Sequence, residues 1–439
     1  MGTELPVNLS EFQATLCILF LILAPLSGCG LALINAGLGR SRNAAHSMMA
    51  ALCIVAVAAC AWFVCGWAFE GYPGGLTYSF QAAGRQWYWL GAEPWFFRGL
   101  VASLPSAGSS AFLFAWFGII AAGLAGLIPL GSSSDRWRLG AICGSTALLA
   151  GVTFPLFGHW SWGGGWLAQL GLNFHLGRGY IDAGGSGTIH ATGGLTALAI
   201  AWIVGPRRGK YGSEGMPMAL PGHNAVLVLF GCMVAFVGWL GLNSAGAVLF
   251  AGAGTAQIPM TAINTLMGAS AGALAAAIVT RLRFGKPDAS LTANGWVGGL
   301  VAGSAGCAFL PPAVMIIVGL VAGALVPFLV ELLDLRLEID DPGGAISVHA
   351  AGGIWGVLAA GLFGGLGTAG SPGQLTAQVV GVATLIGFVL PLTYGLNWLL
   401  NLVRPQRVGI EGDQQGMDLH ELGAGAYPEF VTHTDDFMR

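Results

Sequence analysis

The hydrophobic positions of this 439-residue chain fall into long runs rather than the short alternations of a soluble fold. A membrane-spanning helix needs about 20 consecutive, mostly apolar residues. Runs of this kind lie near 12–36, 47–69, 109–130, 139–160, 186–205, 223–248, 257–280, 289–309, 312–333, 345–366 and 375–402. The pattern predicts an all-α polytopic membrane protein with eleven transmembrane helices.

The basic residues between these runs predict how the chain is oriented. Lys and Arg gather in the loops on the cytoplasmic side of a membrane. If the N-terminus lies outside, only Arg85, Arg98 and Arg178 of the 17 basic residues fall on the outer side. We therefore predict the N-terminus out and the C-terminus in, and outer and inner below refer to this orientation.

One internal repeat divides the chain into two halves. Residues 188–194 (TIHATGG), near the start of the fifth predicted helix, correspond position by position to residues 347–353 (SVHAAGG), near the start of the tenth. The two segments lie five helices apart, an odd number, so the halves must cross the bilayer in opposite directions. Such inverted repeats are typical of transporters, whose binding sites lie near the midplane between the halves.

The repeat and the polar end of the chain predict the domain boundaries. We expect a transmembrane domain over 1–403, with repeat halves at about 12–205 and 223–366 and an extra helix at about 375–402. Residues 404–439 are polar and contain no apolar period long enough to fold alone. We interpret them as a cytoplasmic tail.

Composition supports a membrane location and argues against several other functions. Apolar residues make up 55% of the chain and charged residues 8%, against about a quarter charged in ordinary soluble proteins. A net charge of −3 gives no reason to expect a nucleic acid partner. The sequence lacks a nucleophile–base set, a nucleotide-binding loop and metal-ligand spacing, so we predict neither an enzyme nor a cofactor or metal site.

Two histidines, His190 and His349, are the leading candidates for chemistry because each belongs to one copy of the repeat. Ionisable side chains inside spans are energetically expensive and usually functional. A neutral imidazole accepts at one nitrogen and donates at the other, so two stacked rings can line a narrow apolar pore and relay a proton. The alternative is that the two rings only hydrogen-bond between helices.

A pore of this kind favours a cargo that can lose its charge. A cation that enters an apolar channel without replacement of its hydration costs several kcal/mol or more. Ammonium can leave its proton behind, whereas potassium cannot. A histidine pair without adjacent carboxylates is therefore suited to ammonia.

Aromatic side chains indicate where a cation is recruited, because ring faces attract small cations. Trp162 stands at the outer end of the fourth predicted helix, and Trp116 and Phe112 lie one turn apart on the third. The aromatic segment 70–108 predicts an ordered outer cap. That cap either forms an aromatic belt at the membrane interface or contacts the substrate.

Carboxylates near the starts of the two repeat helices are predicted to be structural. Asp182 lies eight residues before His190 and can cap the fifth helix. Direct cation binding is the alternative role, but a carboxylate bound to the ion hinders its deprotonation. Asp340 and Asp341 precede the tenth helix, and we interpret them as N-terminal caps too.

Motifs along nearly the whole chain resemble the ammonium transporter family, which also includes the methylammonium permeases and the Rhesus glycoproteins. They lie at 162–167 (WGGGWL), 182–185 leading to His190, 205–208 (GPRR), 223–224, 238–243 (GWLGLN), 264–265, 285–287, 340–342 and 349–356 (HAAGGIWG). The resemblance implies a homotrimer in the cell (inner or plasma) membrane with one pore per subunit. It also implies an outer ammonium site, a phenylalanine gate and twin pore histidines.

The resemblance assigns roles to particular residues. His190 and His349 match the twin histidines, and Trp162 matches the outer-site tryptophan. Asp182 matches a structural aspartate near the site, and Trp239 a pore-lining tryptophan.

Departures from the family pattern indicate a divergent prokaryotic-type member. The outer gate falls at about Trp116, with Phe112 one turn away. Leu242 stands where the family usually has the inner gate phenylalanine, and Gly246 where it usually has an outer-site serine. These changes leave three functions open: transport of ammonium as ammonia and a proton, an ammonium sensor with little flux, and an electroneutral ammonia gas channel.

The end of the chain suggests one protein partner. Residues 416–427 resemble the family's cytoplasmic regulatory tail, which is where PII signalling proteins dock in prokaryotes. The resemblance therefore predicts a PII protein as a partner of the tail.

Overall fold

A computed structural model describes residues 9–103, 110–212, 215–366 and 372–428. Within these ranges, ten helices are long and apolar enough to cross a membrane. Together with one shorter helix they are numbered in chain order: α1 Glu11–Leu38, α2 Ser41–Glu70, α3 Ser110–Ser133, α4 Leu139–Ser161, α5 Ser186–Val204, α6 Ala225–Ala251, α7 Thr255–Phe284, α8 Ala289–Ser304, α9 Pro312–Arg336, α10 Ile346–Phe363 and α11 Gln374–Val403. The protein is a multi-pass membrane protein.

The shorter helix, α8, is the one predicted span that falls below spanning length. It has 16 residues, about 24 Å of helix, against a hydrocarbon core of about 30 Å. Asn264 of α7 donates hydrogen bonds to the carbonyl oxygens of Cys307 (2.9 Å) and Leu310 (2.8 Å). The chain therefore turns here instead of continuing as helix to 309, and the count of eleven spans stays a prediction.

Small residues set how closely the helices approach. A Cβ atom added at Gly238 of α6 would collide with the backbone of Ser27 in α1, and one at Gly272 of α7 would collide with the carbonyl of Gly295 in α8. Lipid provides no hydrophobic drive between helices, so such close van der Waals contact is a main source of their association. The many glycines of the sequence therefore have a packing role.

The helices α5 and α10 cross in opposite directions. Each opens with one wide, π-type turn, Ser186–Ala191 in α5 and Ile346–Ala351 in α10. Gly194 lies against the backbone of Ala350, whereas Gly356 lies against Ser186. This antiparallel crossing agrees with inverted halves for these two helices, while the inverted five-helix repeat and the orientation in the membrane remain predictions.

The aromatic segment between α2 and α3 forms a β-hairpin of two antiparallel strands, β1 Thr77–Ala82 and β2 Arg85–Gly91. The N–H of Tyr88 donates to the side chain of Gln169 (2.8 Å), and the indole of Trp160 donates to the carbonyl of Trp89 (2.8 Å). These bonds fix the hairpin to the outer end of α4. Residues 104–108 of the predicted cap lie outside the described residues.

Charged side chains form a buried network at the inner end. Arg207 binds Asp340 through two bonds, Nε to Oδ2 (2.9 Å) and Nη2 to Oδ1 (3.0 Å), and Arg136 donates to the Asp340 carbonyl (2.9 Å). Burial raises the pKa of the Asp340 carboxyl, but Arg136 and Arg207 more than reverse this and hold the pKa below its ordinary value. Asp340 therefore pairs with arginines and is not the helix cap we predicted.

The tail joins this network through Asp413, which follows the start of the short helix Ile410–Gln415. The Asp413 carboxylate contacts the guanidinium groups of Arg40 (3.2 Å), Arg407 (3.2 Å) and Arg208 (3.4 Å). One buried acid thus ties the tail to the loops that precede α2 and follow α5.

Two further tail carboxylates cap transmembrane helices. Asp418 accepts a hydrogen bond from the backbone N–H of His46 in α2 (2.7 Å), and Glu421 accepts one from the N–H of Leu139 at the start of α4 (2.8 Å). Burial alone would raise the pKa of Glu421. Its hydrogen bonds to His46 and Leu139 lower the pKa by more than burial raises it, so the pKa lies below its ordinary value. Residues 404–428 therefore form an ordered tail, and 429–439 lie outside the described residues.

Replacing Arg207 with alanine tests the inner network. The variant leaves the buried Asp340 carboxylate without its bidentate partner, and we expect a loss of about 3–5 kcal/mol in the free energy of unfolding. The measurement is unfolding of the detergent-purified protein. The control is Arg208→Ala, whose guanidinium is 48% exposed and whose loss should cost about 1 kcal/mol or less. Equal losses in the two variants would contradict the prediction.

Candidate functional site

His190 and His349 meet where α5 and α10 cross. Their Nδ1 atoms are 3.3 Å apart, the ring planes are inclined by 33°, and both side chains are buried. A neutral imidazole has one donor nitrogen and one acceptor nitrogen, so this contact requires the two rings to be opposite tautomers. The pair therefore shares one Nδ1 proton between the two helices.

Trp239 of α6 packs flat on the first ring of this pair. Its ring plane lies within 11° of that of His190 at a centroid distance of 5.0 Å, and its indole N–H donates to Ser304 Oγ in α8 (3.2 Å). Within the described residues, Nε2 of His190 has no hydrogen-bond partner. This buried nitrogen is therefore available to a ligand.

A carboxylate holds each of the two turns that contain the histidines. Asp182 accepts hydrogen bonds from the N–H groups of Gly185 (3.0 Å), Gly187 (2.9 Å) and Thr188 (2.8 Å). The free N–H groups at the start of a helix need such acceptors, above all where water is scarce. Asp182 thus has the bonding of the structural cap that we predicted.

The second turn is held by the same device. Asp341 accepts from the N–H groups of Ala345 (2.9 Å) and Ile346 (2.9 Å). It precedes His349 by eight residues, the same offset that separates Asp182 from His190. Asp341 thus has the bonding of the cap that we predicted, and the equal spacing in the two halves is visible in the sequence.

An open cavity of about 310 Å³ lies at the outer end, above the histidine pair. Its lining includes Ser161, Trp162, Asp182 and Phe250. A water molecule takes up about 30 Å³ of liquid, so the cavity can hold a small cation together with several waters. The Trp162 indole N–H donates to the carbonyl of Asp182 (2.7 Å), which fixes the ring at the cavity wall.

The ring contacts of Trp162 involve residues that the sequence did not single out, and the assignment of Trp116 and Phe112 to the outer site and gate stays a prediction. Phe250 stacks on it with centroids 4.4 Å apart and planes within 8°, and Phe117 meets it edge-on at 5.4 Å. Among the described residues, no ring contact joins Trp116 or Phe112 to Trp162. Both are on α3 with Phe117, but the helix turns Phe117 towards the tryptophan.

Gly246 and Leu242 lie on α6 between the histidine pair and the aromatic cluster. Leu242 is fully buried in the apolar core. A Cβ atom at Gly246 would collide with the carbonyl oxygen of Ala183, whose segment is fixed by Gly184 N–H donating to the Ser304 carbonyl (2.9 Å). The backbone next to position 246 therefore leaves no space for a side chain larger than that of glycine.

The inner side of the histidine pair is tightly packed. A cavity of only about 10 Å³ adjoins His349 and is lined by residues that include Asn35 and Asn294. This is about the smallest volume that can hold one water. The wide outer cavity and the narrow inner one make the site strongly asymmetric.

Four residues of the outer site did not emerge from the sequence: Phe117, Phe250, Ser161 and Thr188. Thr188 Oγ1 donates to Asp182 Oδ2 (2.9 Å) and lies 3.0 Å from Ser161 Oγ. Phe250 lies eight residues after Leu242 on α6, a spacing that brings it back to nearly the same helix face. That spacing was the one available signal for it.

These features define a class. Helices that cross in opposite directions, an aromatic cavity at one end and a buried pair of imidazoles at the crossing are typical of a membrane transport protein with a narrow internal path. The described residues contain no group of His, Cys, Asp and Glu that could hold a metal ion.

The chain belongs to the ammonium transporter family, because the Ammonium Transporter Family profile matches residues 14–427. Ammonium transporter Amt2 of Archaeoglobus fulgidus is 35% identical over 445 residues, which cover 98% of this chain and 90% of that protein. Ammonium transporter 1 member 2 of Arabidopsis thaliana is 31% identical over 427 residues, covering 89% of this chain and 79% of that protein. These relatives are transporters and not enzymes.

Solved structures show the same fold. A structure described as a sensor Amt protein superposes with a TM-score of 0.83 at 25% identity and covers 93% of this chain and 98% of that one. Candida albicans Mep2 superposes with a TM-score of 0.76 at 22% identity and covers 98% of this chain and 94% of that one.

Adding one methyl group tests the contact at Gly246. We expect Gly246→Ala to lower the melting temperature in detergent, because the new Cβ must displace the fixed Ala183 carbonyl. Overpacking of this kind typically costs about 1–3 kcal/mol. Gly395→Ala in α11 is the matched control, since its Cβ would enter open space. If both variants melt like the wild type, the contact is not as close as the structure indicates.

The Asp341 cap predicts a pH dependence. Burial raises the pKa of Asp341 to about 6, although the N–H groups of Ile346 and Ala345 lower it. The unfolded chain has an ordinary pKa of about 3.9, so the folded state holds this proton more tightly. This part of the stability is therefore lost as the pH rises from about 4 through about 6.

Asparagine at this position cannot titrate. The melting temperature of Asp341→Asn, taken relative to the wild type, should therefore rise between about pH 4.5 and about pH 7. Parallel melting curves for the two proteins across this range would show that Asp341 does not titrate there.

Proposed function

We propose that the chain transports ammonium across the cell membrane by recruiting the cation in the outer cavity, deprotonating it and conducting ammonia and a proton past His190 and His349. The single observation that supports this most is the buried Nδ1–Nδ1 contact of 3.3 Å between the two histidines. A pair that shares one proton in an apolar setting can pass that proton along while ammonia follows the same path.

Recruitment rests on the aromatic wall of the outer cavity. The faces of Trp162 and Phe250 attract a cation through the ring quadrupole, by about 0.5–2 kcal/mol depending on exposure. Full dehydration of the ion costs far more than this. The cation therefore passes its proton to a water molecule at the end of the open cavity, before the path narrows.

The narrow part of the path is apolar. Along α6, about 17 Å of helix separates Trp239, beside the histidines, from Phe250 at the cavity, and the fully buried Leu242 lies between them. A neutral molecule crosses such a segment at a much lower cost than an ion does. Nε2 of His190, which has no partner among the described residues, is the hydrogen-bonding site that ammonia meets next.

A second function is favoured by a specific observation. The flat stack of Phe250 on Trp162 and the small inner cavity leave little room for flux. Leu242 and Gly246 depart from the family pattern, and one structural relative is described as a sensor. These observations favour, as the alternative function, an ammonium sensor that binds the ion in the outer cavity. An electroneutral ammonia gas channel is a third candidate function.

We also propose the assembly and partner that the family resemblance implies. The transmembrane domain, about 1–403, forms a homotrimer with one pore per subunit, and residues 404–439 form a cytoplasmic regulatory tail. Asp413, Asp418 and Glu421 attach the tail to the inner loops. A PII protein that docks at this tail would act on the inner end of the pore.

Transient currents on a solid-supported membrane test the transport proposal. The purified, reconstituted protein should give a current after an ammonium jump and none after a potassium jump. His190→Ala and His349→Ala should each abolish this current or change its ion selectivity, because each variant removes one of the two rings that share the proton. Thr384→Val, which removes an unrelated hydroxyl on α11, should leave it unchanged.

If no current appears, the protein either conducts neutral ammonia or conducts nothing. An internal pH measurement distinguishes these two cases. Ammonium binding with no flux in either assay would establish the sensor and reject the transporter. Histidine variants that conduct with unchanged rate and selectivity would reject the proton relay.

The tail proposal has its own test. A purified PII protein should bind the reconstituted chain in at least one nucleotide state, and Asp413→Asn should weaken binding, because it loosens the tail from Arg40 and Arg407. Absence of binding in every nucleotide state would reject PII as the partner.

A further inference from the structure

The outer cavity lacks the serine that the family pattern expects at position 246, yet it contains another hydroxyl. Ser161, the last residue of α4, lines the cavity directly before Trp162. Its side chain is buried, with 7% of its surface exposed. Ser161 therefore adds a hydroxyl-bearing residue to the wall of the cavity, next in the chain to Trp162.

The hydrogen bonds around Ser161 determine whether its hydroxyl donates or accepts in each contact. The Asp182 carboxylate is surrounded by backbone N–H groups, which can only donate, so its oxygens are acceptors. Thr188 Oγ1, 2.9 Å from Asp182 Oδ2, therefore uses its single proton for that oxygen. It has none left to give to Ser161, which lies 3.0 Å away.

Ser161 must then be the donor in its own contacts. Its proton goes to Thr188 Oγ1, or to the carbonyl of Phe157 (3.0 Å) or Gly158 (3.3 Å). A hydroxyl oxygen has two acceptor lone pairs, and no group of the described residues donates to this one. The oxygen is left free to accept from a donor in the cavity.

We propose that Ser161 Oγ is the oxygen ligand of ammonium in this protein, accepting an N–H of the cation while Trp162 and Phe250 contact it through their rings. The proposal rests on the proposed recruitment of ammonium in the outer cavity and names the residue that replaces the missing serine. Thr188 is a positioning residue, because its bond to Asp182 uses its proton and so leaves the Ser161 oxygen without a donor from Thr188.

The geometry at Gly246 is the second, independent support. A serine there would place its Cβ on the Ala183 carbonyl, so the hydroxyl cannot be supplied from α6. Within the described part of the cavity wall, Ser161 and Tyr180 are the hydroxyl side chains. The hydroxyl of Tyr180 lies beside Gly187, whereas Ser161 directly precedes Trp162 in the chain.

The test is ammonium binding to the purified full-length protein by isothermal titration calorimetry, which needs no transport. Ser161→Ala should raise the dissociation constant for ammonium about tenfold to a hundredfold, the factor of one lost hydrogen bond to a charged group. Ser161→Thr, which keeps the hydroxyl, should bind within about threefold of the wild type. Ser161→Cys, which keeps a similar shape but accepts hydrogen bonds weakly, should resemble the alanine variant.

Thr384→Val is the matched control. Thr384 Oγ1 bonds to the carbonyl four residues earlier in its helix (2.8 Å), as Ser161 does, but on α11. Its loss should leave ammonium binding unchanged. Melting temperatures of all variants show whether each is folded.

The outcomes separate this proposal from the proposed function. Wild-type affinity in Ser161→Ala, with the protein folded, overturns the role of Ser161 and leaves transport standing. If the wild-type protein binds ammonium but does not conduct it, the transport proposal is rejected. The ammonium affinity of Ser161→Ala relative to the wild type still decides the role of Ser161. If the wild type shows no saturable binding of ammonium, the outer site itself is overturned and Ser161 with it.

Discussion

Two carboxylates, the buried Asp182 and the half-buried Asp341, fix the position of the histidine pair. Helices that begin inside a membrane protein expose N–H groups that no water satisfies. Each carboxylate accepts two or three of them and so stabilises a wide first turn. The histidines sit on these turns, eight residues later in both halves, and meet at Nδ1. Without the two caps, the turns that hold the two rings in contact would lose these hydrogen bonds.

Several buried ion pairs lie together at the inner end of the structure. Asp340, Asp135 and Asp413 pair there with arginines, away from the aromatic cavity. At the outer end, Asp182 lines the cavity together with Arg178, and its carboxylate already accepts hydrogen bonds from three backbone N–H groups. The tail is attached to the charged end, so a partner that moves the tail acts on the loops next to α2, α4 and α5.

The sequence predicted the helices well because hydropathy is a direct consequence of the lipid environment. It overestimated α8, since the bonds from Asn264 that end this helix link residues far apart in the chain. The histidine pair was predictable because the repeat made its two members equivalent. Loop residues were harder: Asp340 was expected to cap a helix, but its arginine partners come from other loops.

The outer site was predicted less well, for a related reason. Spacing along α3 cannot tell which of its aromatic residues faces Trp162, and the structure brings Phe117 there instead of Trp116 or Phe112. Phe250 and Ser161 likewise depend on which helix faces meet. The bonds that orient Ser161 pass through Asp182, which precedes the start of α5, and Thr188, which lies in its first turn.

The contact between Gly246 and the Ala183 carbonyl has an evolutionary consequence. The Ala183 carbonyl occupies the space that a Cβ atom at position 246 would need, so no single substitution at this position adds a side chain without moving that backbone. A hydroxyl for this part of the cavity is then acquired more easily on a different helix.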